Sequence, residues 1–229
     1  MKIYKYGLIL ISVLFLFACE KETEGISRIT YYVDLELKGN PIEFVSIGGT
    51  YNEPGWTAFE GDIDVSENVK VSGKVEVNTL GYYTLNYSVN NADGFPKTAS
   101  RSVIVYDPAI NTDISGEYVT VEGTYRYRSG AITKYPGFNV TITKVAPGTF
   151  AISDFLGGYY AQRAGYGSAY AGSGYVQLNS NNKISLIYSF VPGWGDALSA
   201  LKNAEYIPGD GSIKWAADYA GMTFNVVLN

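Results

Sequence analysis

The sequence predicts an all-β protein of two domains. A β-sandwich precedes a second antiparallel β-barrel or β-sandwich domain, and at most one short helix occurs. From residue 26 onward, short runs of Tyr, Val, Ile and Thr alternate with polar residues, which is the pattern of strands with one buried face. Gly, Asn, Asp and Pro separate these runs at short intervals, as tight turns between antiparallel strands require.

The composition excludes several kinds of site. The chain of 229 residues has no His and one Cys. It therefore has no Ser-His-Asp triad, no Cys-His dyad, no His-ligated zinc and no intrachain disulfide. The formal net charge of −5 argues against a nucleic-acid partner, because nucleic acids bind to basic surfaces. No motif indicates a cofactor or a metal site, and we predict neither.

Residues 1–18 are predicted to be a lipoprotein signal peptide. An apolar run over residues 8–17 follows two Lys residues and is shorter than the roughly 20 residues that span a bilayer. Residues 16–19 resemble the bacterial lipobox, in which a Leu stands three positions before the modified Cys and a small residue stands directly before it. The resemblance implies that Cys19 carries the lipids of an N-terminal membrane anchor.

Residues 19–25 are predicted to be the lipidated Cys and a solvated tether. Glu20, Glu22 and Glu24 make this segment acidic, and it contains no large apolar residue after the Cys. The segment resembles the export signal of surface lipoproteins in the Bacteroidota. This resemblance implies an outer-membrane location in which the lipid-anchored protein faces the cell surface.

Pro108 marks the boundary between the two β domains, because Pro cannot continue a central strand ladder. The first domain is predicted to comprise residues 26–108 and the second residues 109–229. The strands predicted for the first domain are residues 28–37, 42–45, 69–77, 83–89 and 100–106.

Three runs in the first domain carry a specific motif. Residues 49–58 read Gly-Thr-Tyr-Asn-Glu-Pro-Gly-Trp-Thr-Ala, residues 61–64 read Gly-Asp-Ile-Asp, and residues 81–87 read Gly-Tyr-Tyr-Thr-Leu-Asn-Tyr. Together they resemble the bacterial immunoglobulin-like domain named after a pesticidal crystal protein, over about residues 40–107. The resemblance implies an Ig-like β-sandwich that serves as a spacer or an adhesion module.

The second domain is predicted to contain seven or eight strands and the one short helix. The helical candidate is residues 196–203, with Asp196 as the N-cap and with Leu198 and Leu201 facing the core. The predicted strands are residues 114–121, 123–128, 138–144, 149–153, 175–178, 184–190, 212–219 and 222–228.

A second resemblance covers this domain. Residues 152–160, 193–196 and 221–226, together with Trp215, resemble the β-rich C-terminal domain that follows such Ig-like domains in Bacteroidota surface lipoproteins, often in polysaccharide-utilisation loci. The resemblance implies a cellular context and carries no activity.

Residues 157–175 are the richest candidate for binding, with six Gly and five Tyr. Aromatic rings match the apolar C–H faces of sugars, and their polar groups donate hydrogen bonds outward. We therefore predict a glycan-binding surface; the alternative is a Tyr-rich Ω-loop that packs on its own domain. The predicted ligand-binding residues are Tyr159, Tyr160, Arg163, Tyr166, Tyr170, Trp194 and Asp196.

The sequence thus predicts a non-enzymatic surface lipoprotein, whose first domain holds a polysaccharide-binding domain away from the membrane. One alternative is a protein-binding or adhesion module, accessory to a surface transporter complex. A further alternative is a glycoside hydrolase, which requires two suitably spaced carboxylates. Its candidate residues are Asp154, Asp196, Glu205, Asp210 and Asp218, and no spacing pairs any two of them.

Overall fold

The computed structural model describes residues 29–229, so the predicted signal peptide, Cys19 and tether lie outside the described residues. The described chain is built almost wholly of strands, which form two β-sandwiches. The all-β fold class predicted from the sequence is confirmed. The strands of the first domain are β1 (Val33–Leu37), β2 (Ile42–Ser46), β3 (Trp56–Glu60), β4 (Ile63–Asp64), β5 (Lys70–Ser72), β6 (Gly81–Asn90) and β7 (Pro96–Tyr106).

The first sandwich packs a three-stranded sheet, in the order β1-β3-β4, against a four-stranded sheet, in the order β2-β7-β6-β5. All strand pairs are antiparallel except β2 and β7, which are parallel. Alternate residues of these strands face inward because successive side chains point to opposite faces of a sheet. The core between the sheets comprises Val33, Leu35, Val45, Ala58, Leu85, Tyr87, Val89 and Val103.

The strand predicted for residues 69–77 ends early, at Ser72. Gly73 has φ +97°, and a Cβ at this position would lie 2.3 Å from the carbonyl oxygen of Thr84. A side chain therefore does not fit, and the backbone turns away from the sheet here although the residues on either side alternate. The prediction for residues 73–77 was wrong for this reason.

The positively charged side chain of Arg101 is fully buried in the core of the first domain. Arg101, on β7, donates from Nη1 to the carbonyl oxygen of Asn40 at 2.7 Å and from Nη2 to that of Lys38. Its Nε lies 3.3 Å from Oε1 of Glu53. Oε2 of Glu53 accepts hydrogen bonds of 2.5 Å from the phenols of Tyr51 and Tyr87.

This network lowers the pKa of Glu53. Burial alone would raise that pKa, but the two phenols, the backbone N–H of Gly55 and the Arg101 charge outweigh it. The Glu53 carboxylate is therefore held in its charged form, and it ties the loop before β3 to the central strand β7.

The second domain is a sandwich of two five-stranded antiparallel sheets, ordered β10-β9-β17-β16-β15 and β14-β13-β12-β11-β8. The structure thus selects a sandwich over the barrel that the sequence left open. Its ten strands are β8 (Gly116–Val119), β9 (Tyr125–Arg128), β10 (Ala131–Lys134), β11 (Asn139–Ala146), β12 (Thr149–Ile152), β13 (Ser173–Leu178), β14 (Ile184–Phe190), β15 (Ala200–Ile207), β16 (Ser212–Tyr219) and β17 (Met222–Leu228).

The helix predicted for residues 196–203 is wrong. Residues 200–207 instead form β15, which pairs with β16 and has a bulge between Lys202 and Glu205. The pairing with β15 provides hydrogen-bond partners for the backbone groups along one edge of β16. A two-turn helix at residues 196–203 would leave those groups unpaired, so the strand pairing overrides the local helical pattern. Within residues 29–229 the only helical turns are short 3₁₀ or π turns, at residues 66–68, 159–163 and 168–170.

The two domains contact each other directly. The rings of Tyr82 and Tyr188 stack with their centroids 4.1 Å apart. The backbone N–H of Asp107 donates to Oε1 of the buried Gln177 at 3.1 Å. These contacts place the first domain against the outer face of the sheet that contains β13 and β14.

We predict that Arg101→Met lowers the free energy of unfolding by about 3–5 kcal/mol, because it leaves the Glu53 carboxylate near the core without a cation. Urea denaturation of residues 20–229, followed by tryptophan fluorescence, measures this change.

The control is Lys74→Met, which removes an exposed ion pair with Glu76 and should not change the midpoint measurably. Equal, small effects of the two substitutions would show that the buried network does not stabilise the first domain.

Candidate functional site

A long loop between β12 and β13 is closed by one buried carboxylate. Asp154 accepts hydrogen bonds from the backbone N–H groups of Leu156 and Gly172 on Oδ1, at 2.9 and 3.0 Å, and from that of Gly158 on Oδ2, at 3.0 Å. Phe155 N–H donates to the carbonyl oxygen of Gly172 at 2.7 Å. The two ends of the loop are therefore fastened to each other as they leave the sandwich.

The start of this loop is also fastened to the core. The indole N–H of Trp215 donates to the carbonyl oxygen of Phe155 at 2.7 Å. The phenol of Tyr135 donates to that of Leu156 at 3.0 Å. These bonds satisfy backbone groups that have no strand partner, which fixes the direction in which the rest of the loop projects.

Tyr159, one of the predicted ligand contacts, is a core residue, so little of its ring is accessible to a ligand. Its side chain is only 6% exposed and packs edge-to-face against Tyr135 and Phe224, at 5.0 and 5.5 Å. The short π turn of residues 159–163 sends adjacent side chains to different sides, so Tyr160 is half-buried, packed against the edge of the core.

Tyr160, Tyr166, Tyr170 and Trp194 converge on one surface, which we call the aromatic patch. Trp194 makes edge contacts with Tyr160 at 4.8 Å and with Tyr170 at 4.7 Å. Tyr166 contacts Tyr160 at 6.1 Å and Tyr170 at 5.4 Å. Tyr166 and Trp194 are 56% and 42% exposed, so the patch presents two large rings to solvent.

The turn that carries Trp194 is shaped by two glycines. A Cβ at position 193 would lie 2.6 Å from the ring of Tyr170, so only Gly lets the turn pack on that ring. Gly195 has φ +70°, which is the left-handed region. Backbone bonds close the turn, from Trp194 N–H and Gly195 N–H to the carbonyl oxygen of Val191, at 3.1 and 2.9 Å.

Asp196 lies at the base of this turn and is exposed. Its Oδ1 accepts a hydrogen bond of 2.7 Å from the phenol of the buried Tyr219. Burial and this carboxylate raise the pKa of Tyr219. The Tyr219 ring lies 5.9 Å from the ring of Trp194, so Asp196 positions a ring beneath the patch. The second carboxylate oxygen of Asp196 takes no part in the hydrogen bond to Tyr219.

Two guanidinium groups lie over the ring of Tyr159. Cζ of Arg126 is 4.6 Å from the ring centroid, and Cζ of Arg163 is 5.1 Å from it. Arg163 was predicted from its place in the loop, whereas Arg126 was missed. The signal that points to it is the run Tyr125–Arg128, in which Arg recurs at alternate positions of a strand and therefore falls on one face.

The carboxylates considered for a hydrolase are each engaged by other groups. Asp154 is buried in its backbone bonds, Glu205 pairs with Lys183 and Lys214, and Asp218 pairs with Lys202. Asp210 accepts from the N–H and hydroxyl of Ser212 in a turn. Among residues 29–229 no group of three or more acidic or Cys side chains is arranged to hold a metal ion.

We predict that Asp154 makes the protein less stable as the pH rises from about 4 to about 6. Burial raises the pKa of Asp154 to about 6, although three backbone N–H groups oppose the rise. An unfolded chain has an Asp pKa of about 3.9. The folded state therefore holds this proton more tightly, and the free energy of unfolding of the parent should fall by about 1–3 kcal/mol more than that of Asp154→Asn between pH 4 and pH 7.

Urea denaturation at a series of pH values measures both curves. The control is Asp210→Asn, since the pKa of the exposed Asp210 is lowered by its bonds to Ser212, and this variant should keep the decline caused by Asp154. Parallel curves for the parent and Asp154→Asn would contradict the prediction.

Comparisons with known proteins place these features in a family. Residues 107–229 match a family model for a C-terminal domain, and residues 35–105 match a model described as "Bacterial surface protein, Ig-like domain". The crystal structure of the lipoprotein BT2262 from Bacteroides thetaiotaomicron is 39% identical, over 86% of this chain and 99% of that chain, with a TM-score of 0.50. No curated protein matches the chain.

Two structures of Clostridium perfringens ZmpB are more distant. One, CBM51-2 in complex with GlcNAc and INT domains, is 15% identical over 57% of this chain and 34% of that chain, with a TM-score of 0.29. The other, the M60 catalytic domain with CBM51-1 and CBM51-2, is 15% identical over 52% and 14%, with a TM-score of 0.28. TM-scores this low say nothing about the candidate site of this protein.

The matches confirm the two resemblances expected from the sequence, with the Ig-like module first and the β-rich module second. Because BT2262 is aligned over nearly its whole length at 39% identity, this chain belongs to the family of that Bacteroides lipoprotein, in which a bacterial-surface Ig-like domain precedes a β-rich C-terminal domain.

Proposed function

We propose that this protein is a non-enzymatic, lipid-anchored surface protein whose second domain binds polysaccharide through the aromatic patch. The observation that carries the proposal is the convergence of Trp194 and three Tyr rings at the surface, with Trp194 and Tyr166 exposed. Sugar rings have apolar C–H faces that pack on such rings, while hydroxyl groups bond to polar atoms at the rim. Asp196 supplies an acceptor at this rim.

The fixed geometry of the patch supports binding. The rings hold one another by edge contacts, and the loop beneath them is fastened by Asp154 and by core hydrogen bonds. A surface that is already ordered loses little conformational entropy when a ligand binds. This favours recognition of a flexible polymer such as a polysaccharide, which itself has to be ordered.

The position of the patch supports presentation of a ligand. β12 begins at Thr149, directly after Gly148, which packs against Ile110 of the interdomain linker, and it ends at Ile152, before the loop. The patch therefore lies at the opposite end of β12 from the linker. In this proposal the first domain and the predicted tether serve as spacers between the membrane and the binding domain.

Membership of a lipoprotein family supports anchorage through Cys19. No helix within residues 29–229 is long and apolar enough to cross a membrane. Lipid chains on Cys19 would hold the protein at the outer membrane, facing outward, and multiple acyl chains give a stable attachment.

We predict that Trp194→Ala weakens polysaccharide binding by roughly thirtyfold, which corresponds to the loss of a central aromatic contact of about 2 kcal/mol. Affinity gel electrophoresis of residues 20–229 in gels that contain plant, bacterial and host polysaccharides measures this change. Tyr166→Ala should weaken binding in the same direction because its ring completes the exposed surface.

The matched control is Tyr127→Ala, since Tyr127 is 46% exposed but points away from the face of β9 that carries Arg126. Loss of binding in this control would move the site to the opposite face of the sheet. If none of the polysaccharides retards the parent protein, the proposal is refuted, and a protein partner becomes the next candidate.

A separate prediction concerns the anchor. Cys19→Ala in the full chain should abolish labelling by an alkyne-bearing fatty acid and should move the protein out of the outer-membrane fraction. Ser12→Ala, a change within the predicted signal peptide that leaves Cys19 intact, should retain both. Labelling that persists in Cys19→Ala would contradict lipidation at this residue.

A further inference from the structure

Seven of the eight basic residues of the second domain fall into two groups. Four Lys residues form ion pairs, Lys144 with Asp113, Lys183 and Lys214 with Glu205, and Lys202 with Asp218. Three Arg residues, in contrast, form no ion pair within residues 29–229: Arg126, Arg128 and Arg163. The eighth, Lys134, also forms no ion pair in this part of the chain, but it pairs with Tyr125 and so lies on the face of the sheet opposite to Arg126.

The unpaired arginines lie beside the aromatic patch. The strand register sets Arg126 opposite Phe224, and Phe224 is a core residue 5.8 Å from Tyr160. Arg126 therefore shares the inner face of its sheet with this ring, and Arg128, two residues on, follows on the same face at the end of the strand. Arg163 approaches the same place from the loop, over the ring of Tyr159.

The three arginines bring positive charges close together, and no carboxylate within residues 29–229 forms an ion pair with them. The guanidinium groups of Arg126 and Arg163 both lie within about 5 Å of one phenol ring. Nε of Arg126 is buried and has no hydrogen-bond partner. Burial raises the pKa of the neighbouring Tyr160, whereas the charge of Arg126, its side-chain hydrogen bond to Tyr160 and the charge of Arg128 oppose that rise. Like charges held together next to an unpaired donor are costly unless an anion completes the site.

We propose that Arg126, Arg128 and Arg163 make this site selective for anionic polysaccharides, whose carboxylate or sulfate groups they bind while the aromatic patch contacts the sugar rings. The inference rests on the proposed function and gives its ligand a chemical class. Guanidinium groups suit this role because their planar array of N–H donors bonds to carboxylate or sulfate oxygens in pairs. The contact Tyr159–Tyr160–Trp194 connects the arginines to the centre of the patch, at ring separations of 5.0 and 4.8 Å.

Two matched pairs of polymers test the proposal by affinity gel electrophoresis of residues 20–229, which include both folded domains. One pair is polygalacturonate and its highly methyl-esterified form, and the other is dextran sulfate and dextran. Each pair keeps the sugar backbone and changes the charge. We expect retardation by the charged member of at least one pair, with weak or no retardation by its neutral partner, and a loss of affinity as salt is raised.

Arg128→Gln and Arg163→Gln, both at exposed positions, should each weaken binding to the charged polymer by about tenfold or more. Arg126→Gln should do the same, and its circular dichroism spectrum and urea midpoint show whether the fold is kept. The control is Lys134→Gln, which removes the same charge from the neighbouring strand and should bind as the parent does. Trp194→Ala should also weaken binding, because the site needs both charge and rings.

The outcomes separate the two proposals. Binding of neutral polymers that depends on Trp194 and not on the arginines overturns the anionic preference and keeps the proposed function. Binding of none of these polymers, nor of any other polysaccharide, overturns both. Equal, arginine-dependent retardation by poly-glutamate overturns the inference as well, because the arginines would then respond to charge without recognising a sugar.

Discussion

A hydrogen-bonded carboxylate connects the core of the second domain to its exposed aromatic rings. Asp154 accepts hydrogen bonds from backbone N–H groups at both ends of the loop that follows β12. The peptide groups in this segment have no strand partner, so without such bonds they would be buried and unsatisfied, at a cost of about 1–3 kcal/mol each. The same bonds fix the exit of the chain, and therefore the positions of Tyr160, Tyr166 and Tyr170.

The neighbours Tyr159 and Tyr160 show how stability and surface presentation are divided. Tyr159 fills the end of the core between Tyr135 and Phe224, whereas Tyr160 is half-buried beside it and touches Trp194. The two rings meet edge-to-face at 5.0 Å, a geometry that aromatic quadrupoles favour. Packing in the core thus holds the ring that begins the exposed patch, although the patch itself is largely outside the core.

The sequence predicted most strands because their alternation reflects one buried face, as in β6, β14 and β16. It failed where a tertiary contact decides the local structure. Gly73 ends β5 because of the Thr84 carbonyl oxygen, and residues 200–207 form a strand because β16 needs a partner. Neither partner is adjacent in sequence, so neither contact is visible in a local pattern.

In the candidate site, too, the sequence predicted the features that depend on local pattern and missed those that depend on tertiary contacts. Trp194 was recognisable because Gly on both sides indicates a tight exposed turn. The inward orientation of Tyr159 was not, since two adjacent Tyr in a Gly-rich loop look alike until the π turn separates them. Arg126 was missed because a charged residue in a strand is normally assigned to the solvent face.

The net charge of the second domain does not describe how its charged side chains are distributed. Residues 111–229 contain eight Lys and Arg and eight Asp and Glu, so the second domain is formally neutral and the whole chain is acidic. Ion pairing, however, neutralises four of the five lysines locally, whereas three arginines without ion pairs lie together at one end of the sandwich. The field at a surface depends on the charges within about a Debye length, roughly 8–10 Å at physiological salt. An acidic protein can therefore carry an anion-binding surface, provided that its cations near the site are the ones without partners.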